Sequence, residues 1–210
     1  MSKGQQTRQE IVRKAAALFN RKGYEGTALS DLMDATGLQK GGIYRHFDSK
    51  EELAVEAFDY AWRTAFEVRQ KGVEERLNAL DRLKQMVRNF VEQREGLVPG
   101  GCPLLNTAID ADDGNVVLRS HARKAMKQWL TRLRSLVAEG KRRGEIKARA
   151  NPERLAALIA GTLEGALMIS RLDRTDEPLS WAQQHLEAHL EQQRQVNASG
   201  SQERISHDRT

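Results

Sequence analysis

Between Gly37 and Leu53 the chain reads Gly-Leu-Gln-Lys-Gly-Gly-Ile-Tyr-Arg-His-Phe-Asp-Ser-Lys-Glu-Glu-Leu, and no other stretch limits the possible folds so strongly. At ~100° per residue on a helical wheel, Ile43 and Phe47 share one face and anchor it to a core. Gly41 and Arg45 share the opposite face, Gly42 and Tyr44 lie on the two flanks, and His46 sits nearer the core edge. An outward face of glycine and arginine, flanked by hydrogen-bond donors, suits a nucleic-acid backbone better than solvent. Glycine costs roughly 1 kcal/mol per helical position relative to alanine, so two together at a helix start speak for a steric requirement.

The flanking sequence supplies a frame for that helix. Thr7 to Lys22 carries Ile11, Ala15, Leu18 and Phe19, widened by Val12 and Ala16, which predicts an amphipathic helix. Gly23 is placed to end it, and Tyr24-Glu25-Gly26 breaks the pattern. Thr27 is a predicted N-cap for a second helix with Leu29, Leu32, Met33 and Ala35, closed by Gly37 in a tight inter-helical turn. The third helix, about two turns long, is the one described above. Ser49 with Glu52 is a predicted capping box opening a fourth. Residues 1–50 hold nine Lys and Arg against five Asp and Glu, so +4 of the chain's net +5 lies here. The basic excess therefore sits in the part of the chain where a helix-turn-helix would meet DNA.

Taken together, residues 7 to about 60 resemble the DNA-binding domain of tetracycline-repressor (TetR) family transcription regulators. The matching pieces are Ile11…Ala15-Ala16-Ala17-Leu18-Phe19, Gly23-Tyr24, Gly26-Thr27, Gly37 and Lys40-Gly41-x-Ile43-Tyr44-x-His46-Phe47-x-Ser49-Lys50-Glu51-x-Leu53. The resemblance implies an all-α homodimer with a variable C-terminal effector domain. Gln39 and Gly42 depart from it, standing where the family often has a small hydroxyl residue and a threonine. Close backbone approach through Gly41 and Gly42 would substitute for those hydroxyls. Within the motif, Lys40, Tyr44, His46 and Lys50 are the expected phosphate contacts, with Thr27 at its helix N-terminus. Arg45 and Gln39 are the candidates for base edges, Arg45 because its fork matches guanine O6 and N7.

With 210 residues, four prolines and few alternating β-branched runs, the rest of the chain also reads as helical. Helices are predicted at 49 to about 72, 74–94, 103–111, 116–143, 152–172 and 178–193, with a polar tail from about Val196 expected to be disordered. The organisation expected is a reader domain at 1–50, an effector and dimerisation domain at 51–195, and a tail at 196–210. Pro152–Leu172, apolar on several sides and rich in small residues, is expected to be buried, in a dimer core or in that of a single chain. With Trp181, Leu186 and Leu190 it would form the core of a homodimeric four-helix bundle, since the family pairs through its last two long helices. Its apolar stretch from Leu155 to Ile169 is read as too short and broken to span a bilayer. The polar start lacks a signal peptide's apolar region, which predicts a soluble, cytoplasmic protein.

One cysteine excludes an intramolecular disulfide and a CxxC metal site. Pro103 suits a first helical position and places Cys102 at its N-cap, where the helix terminus would favour a thiolate sensor of electrophiles or oxidants. The bland alternative is a small buried residue lining a pocket or turn. The Gly-Cys-Pro segment resembles one subgroup of these regulators. An effector pocket is expected among Trp62, Phe66, Met86, Phe90, Cys102, Asn106, Trp129, Leu133 and Met168. The acidic run Asp110-Ala111-Asp112-Asp113 with His121 downstream lacks any metal or hydrolase signature and reads as solvated loop acids. No catalytic residue, metal or cofactor is expected. The sequence therefore predicts a repressor released from an inverted-repeat operator by a small molecule, against a thiol switch, an enzyme with a nucleic-acid anchor and a non-specific DNA binder.

Overall fold

A computed structural model of the chain describes residues 2–93, 96 and 98–195. The expected tail from 196, and the expected helix end at Arg94, lie outside the described residues. Helix α1 (Lys3–Lys22) starts earlier than Thr7 because Ser2 and Gln5 close a reciprocal capping box. It buries Ile11, Val12, Ala15 and Ala16 and ends at Gly23. Helix α2 (Leu29–Thr36) is capped at Ala28, not Thr27. The expected hydroxyl cap fails because Thr27 is fully buried and donates to Gly23 O at 2.7 Å. Asp31 replaces it, accepting from Ala28 N at 2.9 Å and pairing with Lys22 Nζ at 2.7 Å. Gly37, at φ 72°, returns its N–H to Met33 O and turns the chain into α3 (Lys40–Tyr44). At five residues α3 is shorter than two turns, because His46 N tightens onto Ile43 O instead of reaching four residues back.

Helix α4 (Lys50–Gln70) is the common wall of two cores. Ser49 Oγ caps it by accepting from Glu52 N, while the Glu52 carboxylate reaches Asp48 N, so the expected box closes one residue early. Leu53, Ala57 and Ala61 face the first core, with Ile11, Leu32, Ile43 and Phe47. One residue round the helix, Ala54, Phe58 and Trp62 face the second. Two apolar stripes set ~100° apart on one helix make a rigid connection between the two cores.

The second core is built by α5 (Ala79–Glu92), α6 (Pro103–Asp110), α7 (Val116–Arg142), α8 (Pro152–Asp173) and α9 (Glu177–Gln192). Helix α5 begins at Asn78, whose side chain accepts from Asp81 N, so residues 74–77 are turn rather than helix. Leu186 and Leu190 are fully buried inside this core, not held back for a partner. Within the chain, helix α8 is buried on one side only. It sinks Leu155, Ile159, Leu163 and Leu167 against its neighbours but leaves Leu158, Met168, Ile169 and Leu172 exposed. At 22 residues it is, by length and composition only, long and apolar enough to cross a membrane, a test that core helices of soluble proteins also pass. Half of its most apolar window is nevertheless buried within the fold. Among the described residues the chain is all-α, with one isolated antiparallel bridge between Ile146 and Arg194.

Candidate functional site

The first candidate surface is α3. Gln39 occupies its N-cap position in an extended conformation, and Gln39, Lys40, Gly41 and Arg45 are exposed. Side chains of Gln39, Arg45 and His46 have no hydrogen-bond or ion-pair partner among the described residues. Tyr44 is 36% exposed with the Lys40 ammonium 6.0 Å from its ring centroid. Lys50 lies over the Tyr24 ring at 4.3 Å, which holds it beside the helix. A Cβ on Gly41 would meet nothing within 4 Å, and one on Gly42 only an ordinary contact with Leu38. Whatever space these glycines keep clear is therefore outside the chain. Behind α3, the Arg8 guanidinium stacks on Phe47 at 4.2 Å and bonds to Glu52 and Glu56, so α1, α4 and the turn between α3 and α4 are pinned at one point. Thr27, buried, is not displayed on this surface.

A clasp joins this unit to the second core. Asn20, on α1, is 7% exposed and directs its Nδ2 at the carbonyls of Val98, Pro99 and Gly101. Asn106 completes it, donating to Asn20 O, Asn20 Oδ1 and Gly100 O. Val98 itself packs into the first core. Gly100 sits at φ 123°, and a Cβ there would come 2.7 Å from Asn20 O. Tyr24 N donates to Asp110 at 2.8 Å, and Asn115 to Glu51 at 2.6 Å. The strap of residues 98–101 thus belongs to both cores. Asn106, expected in the effector pocket, serves this clasp instead.

The strap leads directly into a buried polar cluster. Cys102 caps α6, with Pro103 at its first position as the sequence predicts. Its thiol, 5% exposed, donates to Glu164 Oε1 at 3.0 Å and accepts from Arg69 Nη2 at 3.2 Å. The Arg69 guanidinium lies 4.3 Å from the Trp129 ring centroid, 4.7 Å from Phe90 and 5.2 Å from Trp62. Phe66 packs against the Trp62 ring, and Trp62 Nε1 donates to Gln128. Arg69 and Glu164 approach only to 3.7 Å, and among the described residues Arg69 Nη1 and Glu164 Oε2 have no partner. Burial, and then the nearby Glu164, push the Cys102 thiol up to about 12. The helix-terminus argument for a thiolate is overturned here, because desolvation outweighs the dipole. Burial also raises the Glu164 carboxyl above its ordinary range, against the pull of Arg69.

Trp62, Phe66, Phe90, Cys102 and Trp129 lie in one core, with Met86 and Leu133. Met168 is not among them. It is 47% exposed on the outer face of α8, because it lies on the side of that helix opposite Leu163 and Leu167. A cavity of about 30 Å³ borders Arg69, Phe90, Cys102 and Leu167. His121 bonds to Asp59 at 2.9 Å and so stands apart from the acidic run, whose Asp110 is part of the clasp. Sequence reading missed Arg69, Glu164 and Asn20. The first two had a signal: each is a charge at an apolar phase, Arg69 three residues past Phe66 and Glu164 between Leu163 and Leu167.

Comparison with known proteins is consistent along the chain. A family model for bacterial regulatory proteins of the tetR family matches residues 11–57, and one for the tetracyclin repressor-like C-terminal domain matches residues 79–186. A solved TetR transcriptional regulator from Chloroflexus aurantiacus J-10-FL superposes with a TM-score of 0.90 and 46% identity, covering 94% of this chain and all of that one. The HTH-type transcriptional repressor DhaR of Mycobacterium sp. (strain GP1) is 27% identical over 82% of this chain and 86% of its own length. A cysteine mutant of the regulator CifR, solved with 26-base-pair operator DNA, shares the fold at a TM-score of 0.76 and 21% identity, covering 86% of this chain and 94% of that one.

Proposed function

The chain belongs to the tetracycline-repressor family of DNA-binding transcription regulators, and on that premise we propose that it is a repressor, working as a homodimer on an inverted-repeat operator. A small molecule in the C-terminal domain releases it. The observation that carries the reading is the face of α3 and the turn after it: Gln39, Arg45 and His46 have no side-chain partner among the described residues, Lys40 and Lys50 stand beside them on tyrosine rings, and Ile43 and Phe47 anchor the segment from behind. Arg45 and Gln39 reach base edges, while Lys40, Tyr44, His46 and Lys50 hold phosphates. Gly41 and Gly42 let the backbone come close. Thr27 is left out because its hydroxyl is buried and engaged.

Residues 1–50 act as the reader and 51–195 as the effector and dimerisation part, with α4 common to both. Two copies meet through α8 and α9, where Leu158, Gly161, Gly165, Met168, Leu172 and Trp181 lack any covering element among the described residues. Such pairing sets two recognition helices one helical turn of DNA apart or more, about 34–36 Å, and only a matching spacing docks both. A regulator of chromosomal DNA in a bacterium works in the cytoplasm. The effector site is proposed around Trp62, Phe66, Phe90, Cys102 and Trp129. A thiol switch at Cys102 is the rival reading, and the buried, neutral thiol speaks against it at rest.

Selection of bound sequences from a random duplex pool, at near-physiological salt, tests the reading. Enrichment of one inverted repeat is expected. Binding without an enriched motif, with affinity falling steeply as salt rises, would sink it in favour of non-specific electrostatic attachment.

A further inference from the structure

We propose that the buried Arg69–Glu164 pair is the recognition end of a site for a small organic carboxylate with an apolar body, and that filling the site loosens the 98–101 strap from α1. The inference rests on the reading that the C-terminal domain takes an effector. Both side chains are more than nine-tenths buried, at 7% and 8% exposure. An arginine and a carboxylate left to themselves close two short parallel bonds. Here the Cys102 sulfur is wedged between them, leaving a 3.7 Å approach and, among the described residues, one unmet atom on each partner, Nη1 and Oε2. Buried polar atoms without partners are uncommon in folded chains, and two on one pair, beside a cavity, mark a place built for another molecule.

The chemistry selects an anion with two acceptor oxygens. Arg69 is flanked by three aromatic rings, which favour its positive charge without supplying an acceptor for Nη1. One ligand oxygen takes Nη1. The groups that face Glu164 are Arg69 from α4 and Cys102 from the start of α6. Burial favours the neutral acid of Glu164, which then donates through Oε2 to the second oxygen. A second guanidinium, that of Arg171, lies against Gly101, 3.0 Å from where a Cβ would stand. The adjoining cavity, about 30 Å³, offers Ala65, Phe90, Pro103 and Leu167 to an apolar body. That space holds one or two waters, so an organic body has to enlarge it. Gly101 forms part of its lining, and the same strap is held to α1 by Asn20. Enlargement at this wall acts on α1 and hence on the reader.

The test titrates the full chain with sodium benzoate, by calorimetry without DNA and by the emission of Trp62 and Trp129. Saturable binding of one benzoate per chain is expected, with benzamide at least tenfold weaker. Arg69→Lys should lose tenfold or more, and Glu164→Gln, which keeps a donor, should stay within about threefold of the parent. Ala65→Leu, filling the cavity without touching the pair, should block benzoate, and it decides the matter if Arg69→Lys fails to fold. No benzoate binding, equal binding of benzamide, or undiminished binding to folded Arg69→Lys or to Ala65→Leu overturns the carboxylate site. Operator affinity is measured in parallel and should fall at least tenfold when benzoate saturates. Benzoate bound with operator affinity unchanged overturns the link through the strap. An intact operator complex alongside absent benzoate binding leaves the regulator reading standing, so the two failures are distinguishable.

Discussion

Arg45 and Lys40 are both exposed, at opposite ends of α3, yet should behave differently when removed. Arg45→Ala deletes a fork able to read guanine, so it should cost about 1–3 kcal/mol at the preferred operator and relax preference at one position. Lys40→Ala should weaken all duplexes alike and lower the salt dependence by about one counterion. Fluorescence anisotropy on cognate and scrambled duplexes at several salt concentrations separates the two outcomes. Cys102 yields a second residue-scale prediction. With its thiol pushed up to about 12 by burial and Glu164, it should resist iodoacetamide at pH 8 in the native chain and react promptly in urea. Native labelling as fast as that of free cysteine would restore the thiol switch. The same shift carries a pH dependence. The unfolded thiol ionises from its ordinary value of 9.0, so above it the folded chain holds a proton that the unfolded chain has lost. Stability contributed by the neutral thiol is complete below that value and declines as pH rises towards about 12.

At the scale of elements, α4 and the 98–101 strap do the connecting. The helix presents Leu53, Ala57 and Ala61 to one core and Ala54, Phe58 and Trp62 to the other, so neither can shift without the other feeling it. The strap adds a second tie through Val98 and Asn20. Gly100→Ala would place a Cβ 2.7 Å from Asn20 O at a backbone angle that favours glycine. It should destabilise the chain by about 1–3 kcal/mol, read from the urea midpoint. Asn20→Ala should cost about the same by stranding the carbonyls of the strap. A stability equal to the parent in both variants would mean that the strap is not a tie. Much of this level was legible from sequence: the helix breaks at Gly23, Gly37 and Pro103 fall where they were expected, because glycine and proline constrain the backbone locally. The cap at Ala28 was not, since Thr27 spends its hydroxyl on a carbonyl that only the fold places beside it.

For the whole molecule the open face of α8 and α9 is decisive. Leu172 is 75% exposed and Trp181 62%, too apolar a surface to be left to water if a partner is available. Trp181→Asp combined with Met168→Asp should convert a species of twice 23.7 kDa into one of 23.7 kDa by light scattering, with operator affinity falling more than tenfold. A parent that already runs as a monomer at micromolar concentration would end the homodimer proposal. Met168 shows how this level escapes sequence: on a helix apolar all round, periodicity cannot say which apolar side faces inward and which faces a partner.

What the sequence determined by itself was whatever depends on local periodicity and backbone constraint. That covers the helical class, most helix boundaries, the Ile43 and Phe47 anchors, the outward face of α3, and Cys102 with Pro103 at the head of α6. Tertiary structure alone decided which charges are buried together and what they do to one another. Arg69, Cys102 and Glu164 come from three separate helical segments, and Asn20 meets a strap some eighty residues away. Desolvation and long-range hydrogen bonding act through space, so the thiol that a helix terminus would have made acidic becomes, inside this core, harder to ionise.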